Sequence, residues 1–96
     1  MRKCYLVCYD IADEKRLRRV HKVMQGFGEA WQYSVYFCVL KDIDRVRLEG
    51  QLLAEMNQKE DQILICDMGG NELSARESVV ALGLHMAPKS QHTLVL

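Results

Sequence analysis

The feature that most constrains this chain is an abrupt change of character at Asp10. Residues 4–9 (CYLVCY) are apolar and rich in Tyr and Val, which predicts a short buried strand. Asp13 then offers an N-cap, because its carboxylate can accept hydrogen bonds from the free N–H groups of a first helical turn. Gly26 and Gly28 end the helix. Its apolar stripe recurs at helical spacing and consists of Leu17, Val20, Met24 and Phe27.

The segment WQYSVYFCVL (31–40) alternates and predicts a strand that is either bent or split near Ser34. We expect one side of this strand to face the core: Trp31, Tyr33, Val35, Phe37 and Val39. The other side is semi-polar and consists of Gln32, Ser34, Tyr36 and Cys38.

The alternation of strands and helices continues to the C-terminus. A second helix is predicted from an Asp42 cap, and the polar run NQKED (57–61) ends it. Its expected inward side chains are Ile43, Val46, Leu53 and Met56. Three further strands are predicted, at QILICDM (62–68), SVVALGL (78–84) and HTLVL (92–96).

Strands that alternate with two helices in 96 residues predict one domain, residues 1–96, of the α/β (α+β) class. The expected architecture is a ferredoxin-like two-layer sandwich with both helices on one face of the sheet. No helix remains for the other face, whose Tyr, Ser, Gln and Cys side chains suit a self-complementary homodimer interface. Residues 91–96 are expected to form a C-terminal strand exchanged with the partner subunit, which would protect its edge.

Composition narrows the function. The net charge is zero, so any nucleic-acid surface must be local, with basic residues segregated onto one face. The residues after Met1 lack the h-region and cleavage site of a signal peptide, and no run of 18 apolar residues occurs, so we expect a cytoplasmic protein without a membrane span. The cysteines lack C-x-x-C spacing and are predicted to be reduced, buried thiols: Cys4, Cys8, Cys38 and Cys66. The histidines lack ligand spacing and favour no metal site: His21, His85 and His92.

Asp10 is the first candidate site residue. An acid directly after a strand can be exposed and rigidly held at once, although it is equally typical of a turn. A lone carboxylate is a poor Mg²⁺ site, and a symmetric dimer would solve this by presenting Asp10 twice. Asp67 also follows a predicted strand, but Gly69 and Gly70 behind it favour a turn.

The second candidate is the basic surface of the first helix, formed by Lys15, Arg16, Arg18, Arg19 and Lys22. The acids Asp13 and Glu14 are confined to its first turn, where they complement the helix dipole. Enrichment of Arg over Lys suits phosphate contact. The alternative is an ordinary solvated helix face.

These same residues carry a resemblance to a known family. The segments are YLVCYDIADEKRLRRV (5–20), GFG (26–28), WQYSVYFCVL (31–40) and DQILICDMGG (61–70). Together they resemble the CRISPR-associated adaptation protein two family, small ferredoxin-like dimers that help to acquire new spacers. The resemblance covers residues 4–70 well, and the later strands match in placement rather than in sequence.

The resemblance implies a metal-dependent endonuclease acting on RNA or double-stranded DNA, with Asp10 as catalytic residue and ligand of Mg²⁺ or Mn²⁺. It also implies a scaffold that is held between copies of the CRISPR integrase and binds the DNA duplex. The implied phosphate-binding residues are Arg16, Arg18 and Arg19. Ser34 and Tyr36 are implied to lie near the paired acids at the dimer interface.

The sequence therefore leaves three candidate functions open. The first is the metal-dependent nuclease, and the second is a non-catalytic scaffold that binds duplex DNA. The third, from the residues alone, is a regulatory ferredoxin-like module that binds a small ligand at its dimer interface. The one-sign arginine face of the first helix disfavours the third.

Overall fold

The computed structural model describes residues 1–84, which form one four-stranded antiparallel sheet and three helices. The elements are β1 (Arg2–Asp10), α1 (Glu14–Gln25), β2 (Glu29–Gln32), β3 (Val35–Lys41), α2 (Asp42–Glu55), β4 (Gln62–Asp67) and α3 (Glu72–Glu77). The strand order is β2-β3-β1-β4, which is the predicted ferredoxin-like arrangement. The predicted strand at 92–96 and the exchange of residues 91–96 lie outside the described residues.

The central strand β1 pairs with β3 along one edge and with β4 along the other. Because successive side chains of a strand point to opposite faces, Tyr5, Val7 and Tyr9 share one side. That side packs under α1 and α2, both on the same face, as the sequence predicts. The helices contribute the buried side chains Val20, Met24, Leu48 and Leu52.

The segment 31–40 is split into β2 and β3 by a two-residue turn at Tyr33 and Ser34. Its predicted sidedness is wrong. Tyr36 and Cys38 lie in the core beneath the helices, whereas Phe37 faces the opposite side of the sheet. Both sides of β3 carry large apolar side chains, so alternation predicts which residues share a face but not which face the helices cover.

The prediction of a strand at 78–84 is also wrong. No strand forms there, and the short helix α3 lies directly before these residues. Asn71 caps α3 by accepting a hydrogen bond from the N–H of Ser74. On the face that α1 and α2 leave open, Ala75 is buried against Cys4 and Phe37. A third helix therefore covers part of the face that we expected to carry none.

Arg76 holds α3 on this face of the sheet. Its guanidinium lies 4.5 Å from the centroid of the Phe37 ring and donates a hydrogen bond of 2.7 Å to Glu29 Oε1. The Trp31 ring stacks on Phe37 at a centroid distance of 4.7 Å, and its Nε1–H donates to Glu29 Oε2. One aromatic pair and one carboxylate thus tie the helix to β2 and β3.

The second helix begins at Asp42, with Lys41 rather than Asp42 at the N-cap position. Its predicted inward stripe is wrong in three places: Ile43, Val46 and Leu53 are 59%, 56% and 52% exposed. Leu48 and Leu52 are buried instead, and Met56 is half-buried as predicted. The helix carries two apolar stripes, and packing against α1 and the sheet selects the one at four-residue spacing. No helix within residues 1–84 is long and apolar enough to cross a membrane.

All four cysteines are free thiols. Cys4 and Cys38 are buried as predicted, but Cys8 is half-buried and Cys66 is exposed. Cys66 lies on the edge strand β4 and points to the open face, where nothing within residues 1–84 covers it. Apolar sequence neighbours therefore predict a strand here but not complete burial.

We predict that Gly28→Ala lowers the free energy of unfolding by about 1–3 kcal/mol, through overpacking. A Cβ at this position would lie 2.5 Å from Cys38 Sγ and 2.6 Å from the Phe37 carbonyl oxygen. Gly50→Ala in α2 is the matched control, because a Cβ there meets nothing within 4 Å. It should raise stability by about 0.5–1 kcal/mol through its helix propensity. Urea denaturation of both variants checks this, and equal effects would contradict it.

Candidate metal and nucleic-acid site

Asp10 is the last residue of β1 and is exposed on the sheet face opposite to α1 and α2. It pairs in register with Gln62 of β4, and Cys8, two residues earlier, points to the same side. No hydrogen bond or ion pair from residues 1–84 engages its carboxylate. The carboxylate oxygens are therefore available to a ligand from outside this part of the chain.

Asp10 borders an open cavity of about 150 Å³ that Ser34 and Gln62 also line. Carboxylate, hydroxyl and amide oxygens are the donors that Mg²⁺ and Mn²⁺ take in proteins. These residues therefore fit a divalent cation in chemical type, but they supply only one carboxylate. Nowhere in residues 1–84 do three or more His, Cys, Asp or Glu side chains gather as a metal-binding group. Within residues 1–84, Asp10 is thus the one carboxylate at this cavity.

The structure separates the two residues that we expected to accompany Asp10. Ser34 lies beside it, and the Ser34 carbonyl accepts a hydrogen bond of 3.1 Å from the N–H of Tyr9. Tyr36 points to the other side of the sheet, where its hydroxyl lies 3.2 Å from Nε2 of His21. Its side chain is therefore not on the face that carries Asp10.

His21 of α1 contacts tyrosine side chains on the helix-covered side of the sheet. Its Nδ1 lies 3.0 Å from the Tyr9 hydroxyl, and its ring stacks on Tyr33 at a centroid distance of 5.4 Å. The Tyr9 hydroxyl also reaches the Tyr33 carbonyl oxygen, at 3.3 Å. Burial raises the pKa of Tyr9 well above its ordinary value, so this hydroxyl stays protonated. The cluster fixes Tyr9, and with it the backbone next to Asp10.

The carboxylate of Asp61 binds two loops and one helix. Its Oδ1 accepts from the N–H of Ala12 at 2.8 Å, and its Oδ2 accepts from the N–H of Asn57 at 2.8 Å. The Arg16 guanidinium donates to both oxygens, with Nε at 2.9 Å from Oδ2 and Nη2 at 3.1 Å from Oδ1. The Asp61 side chain is 0% exposed. We call this carboxylate with its four hydrogen bonds the Asp61 anchor.

The three arginines predicted to contact phosphates have different surroundings. Arg16 is turned into the Asp61 anchor and also donates to Glu60, so its guanidinium is already occupied. Arg19 is exposed but donates to Glu55 at 2.9 Å. Arg18 is exposed, and no ion pair from residues 1–84 engages it.

Arg18 shares the outer side of α1 with Lys15 and Lys22, which are likewise exposed. Their spacing of three and four residues places the three cations in one row, which we call the basic ridge. Neither lysine has an ion-pair partner within the described part of the chain. The ridge lies on the helix layer, whereas Asp10 lies on the opposite face of the sheet.

The Asp61 anchor is the feature that sequence reasoning missed. The run NQKED predicts only the end of α2, and its last acid is one of several polar residues there. The one available signal is an acid directly before β4, and its partner Arg16 lies in α1 rather than in the helix that precedes it. Asp67, by contrast, is the predicted turn acid, since its Oδ1 accepts from the N–H of Gly69 at 2.8 Å.

Comparison with known proteins gives concordant results. The family model described as CRISPR associated protein Cas2 matches residues 3–76. CRISPR-associated endoribonuclease Cas2 2 of Thermodesulfovibrio yellowstonii is 41% identical over 75 residues, which cover 78% of this chain and 82% of that protein. CRISPR-associated endoribonuclease Cas2 of Geobacter sulfurreducens is 33% identical over 96 residues, which cover 100% of both chains.

Solved structures agree with this match. The crystal structure of Streptococcus pyogenes Cas2 at pH 6.5 superposes with a TM-score of 0.74 and 29% identity, covering 83% of this chain and 99% of that one. A hypothetical protein from Thermus thermophilus superposes with a TM-score of 0.78 and 25% identity, covering 93% and 100%.

We predict that the stability difference between the wild type and Asp61→Asn depends on pH. The hydrogen bonds from Arg16, and then those from the backbone, hold the pKa of Asp61 well below its ordinary value. Because an unfolded Asp titrates near pH ~4, the stabilisation is fully present above that pH and is lost as pH falls below it. Urea midpoints of both proteins should therefore differ most at pH 7 and converge toward pH 3. A difference that is constant with pH would contradict this.

Proposed function

Because the chain belongs to the CRISPR associated protein Cas2 family, we propose that it is a metal-dependent endonuclease of CRISPR spacer acquisition. Its reaction would be the hydrolysis of phosphodiester bonds in RNA or double-stranded DNA. Relatives that are named endoribonucleases support the reaction class. The observation that carries the proposal is the exposed Asp10 carboxylate at the end of the central strand, with no partner in residues 1–84.

The proposed active form is a homodimer that pairs two copies of Asp10. The open face of the sheet carries exposed apolar side chains near this residue, and Leu64 is 50% exposed. The segment that follows α3 lies over the same face and lines a groove with Leu6, Cys8 and Trp31. Its Leu82 and Leu84 are 90% and 94% exposed. A second copy placed on this face would bury these side chains and supply the second carboxylate.

In this mechanism Asp10 of each subunit would hold Mg²⁺ or Mn²⁺, with Ser34 and Gln62 beside it as neutral oxygen donors. When bound, the cation supplies Lewis-acid polarisation of a phosphoryl oxygen and a more acidic water. The chain's own contribution is rigid placement: strand pairing to Gln62 fixes the backbone of Asp10. The basic ridge would neutralise phosphates of the bound polynucleotide.

A second candidate function is a non-catalytic scaffold that binds duplex DNA together with the CRISPR integrase. The separation of the basic ridge from Asp10 favours this candidate, because the sheet lies between them. A duplex held along α1 does not have to reach the Asp10 of the same subunit. Binding and cleavage are therefore expected to respond to different substitutions.

We predict that Asp10→Asn lowers divalent-cation-dependent cleavage by at least 100-fold while leaving duplex affinity within about twofold. The substitution keeps the side-chain shape but removes the charge that a cation requires. Asp67→Asn is the matched control: it also changes an acid at a strand end, and an Asn can keep the turn to Gly69. Cleavage of labelled RNA and duplex DNA by both purified variants checks this. Unchanged cleavage in Asp10→Asn would assign any nuclease activity to other residues and leave the scaffold function.

We predict that replacing Lys15, Arg18 and Lys22 together by Ala weakens duplex binding about equally for all sequences. The slope of log K against log salt should fall by about 0.9 for each phosphate that the protein no longer neutralises. A control triple variant, in which Arg2, Lys41 and Lys59 become Ala, removes the same charge from exposed positions outside α1. Fluorescence anisotropy at several salt concentrations compares the two. If both triple variants change the slope equally, the ridge is not the binding surface.

A further inference from the structure

We infer that Asp61, with Arg16, is a positioning residue that holds the Asp10 carboxylate in place for its cation; this rests on the proposed function. Asp61 cannot be a ligand itself, because its side chain is 0% exposed and both oxygens already accept two hydrogen bonds each. Its effect on the site must act through the backbone that it binds.

The backbone it binds is the loop directly after Asp10. Asp61 accepts a hydrogen bond from the N–H of Ala12, which lies two residues beyond Asp10. Gln62, the residue that follows Asp61, pairs with Asp10 itself. At the other end of the loop, Asp13 caps α1 through the N–H of Arg16. The chain from Asp10 to α1 is therefore fixed at three successive points, one of which is the Asp61 anchor.

Arg16 completes this arrangement. A carboxylate without solvent contact requires a charged partner, and the Arg16 guanidinium provides two hydrogen bonds to it. The same helix thus uses Arg16 inward, to lock the loop, and its basic ridge outward. A carboxylate that must meet its counterpart on a second subunit tolerates little displacement, so loosening this loop should weaken cation binding at Asp10.

The test is a Mn²⁺ titration of the full-length protein, followed by paramagnetic broadening of the backbone N–H signals of Ile11 and Ala12. It needs neither cleavage nor nucleic acid. We expect Asp10→Asn to abolish the broadening. We expect Asp61→Asn to raise the titration midpoint, the Mn²⁺ concentration at half-maximal broadening, at least fivefold. Glu60→Gln is the matched control, because it changes the neighbouring charge equally but leaves all four bonds of Asp61 intact. Its midpoint should stay within twofold of wild type.

The outcomes separate the two proposals. If broadening persists in Asp10→Asn, the proposed cation site is wrong. If Asp10→Asn abolishes it but Asp61→Asn titrates like wild type, or like Glu60→Gln, the positioning role is wrong. If circular dichroism shows that Asp61→Asn does not fold, the same Mn²⁺ titration of Arg16→Lys tests the positioning role instead. This variant keeps the positive charge and both backbone bonds of Asp61 but loses the paired guanidinium donors. We expect its midpoint to rise at least twofold, and an unchanged midpoint would overturn the inference.

Discussion

The pairing of β1 along both of its edges determines the position of most other groups in this molecule. With β3 on one side and β4 on the other, the strand cannot shift or rotate without breaking two ladders of hydrogen bonds. Because side chains alternate between the two faces of the strand, Tyr5, Val7 and Tyr9 all point into the helix-covered core. Cys8 and Asp10 fall on the other side for the same geometric reason. Rigid presentation of an exposed acid is a direct consequence of this central placement.

The two faces of the sheet therefore carry different groups. The helix layer provides most of the core and displays the basic ridge on its outer surface. The open face carries Asp10, a small helix held by Arg76, and apolar side chains that nothing within residues 1–84 covers. A charged ridge suits a phosphate backbone, whereas an exposed apolar surface suits a second subunit. The proposed cation site at Asp10 and the proposed phosphate-binding ridge would thus lie on different faces of one domain.

Local features were predictable from sequence because their causes are local. The Asp13 cap, the turn acid Asp67 and the strand that ends at Asp10 depend on neighbours within a few residues. The ferredoxin-like class and the placement of α1 and α2 on one face followed from the succession of these elements. Asp10 is recognisable as a site candidate in the same way, since its exposure follows from ending a central strand.

The sequence by itself determined the elements, their periodicity and the exposed acid, since a period of two or 3.6 residues states which side chains share a face. Only the tertiary structure decided which of two apolar faces is buried, as in Tyr36 of β3 and Leu48 of α2. It also decided which arginine of α1 is turned inward, because Arg16 meets Asp61 across 45 positions of the chain. Such choices depend on contacts between distant elements, and no local pattern carries that information.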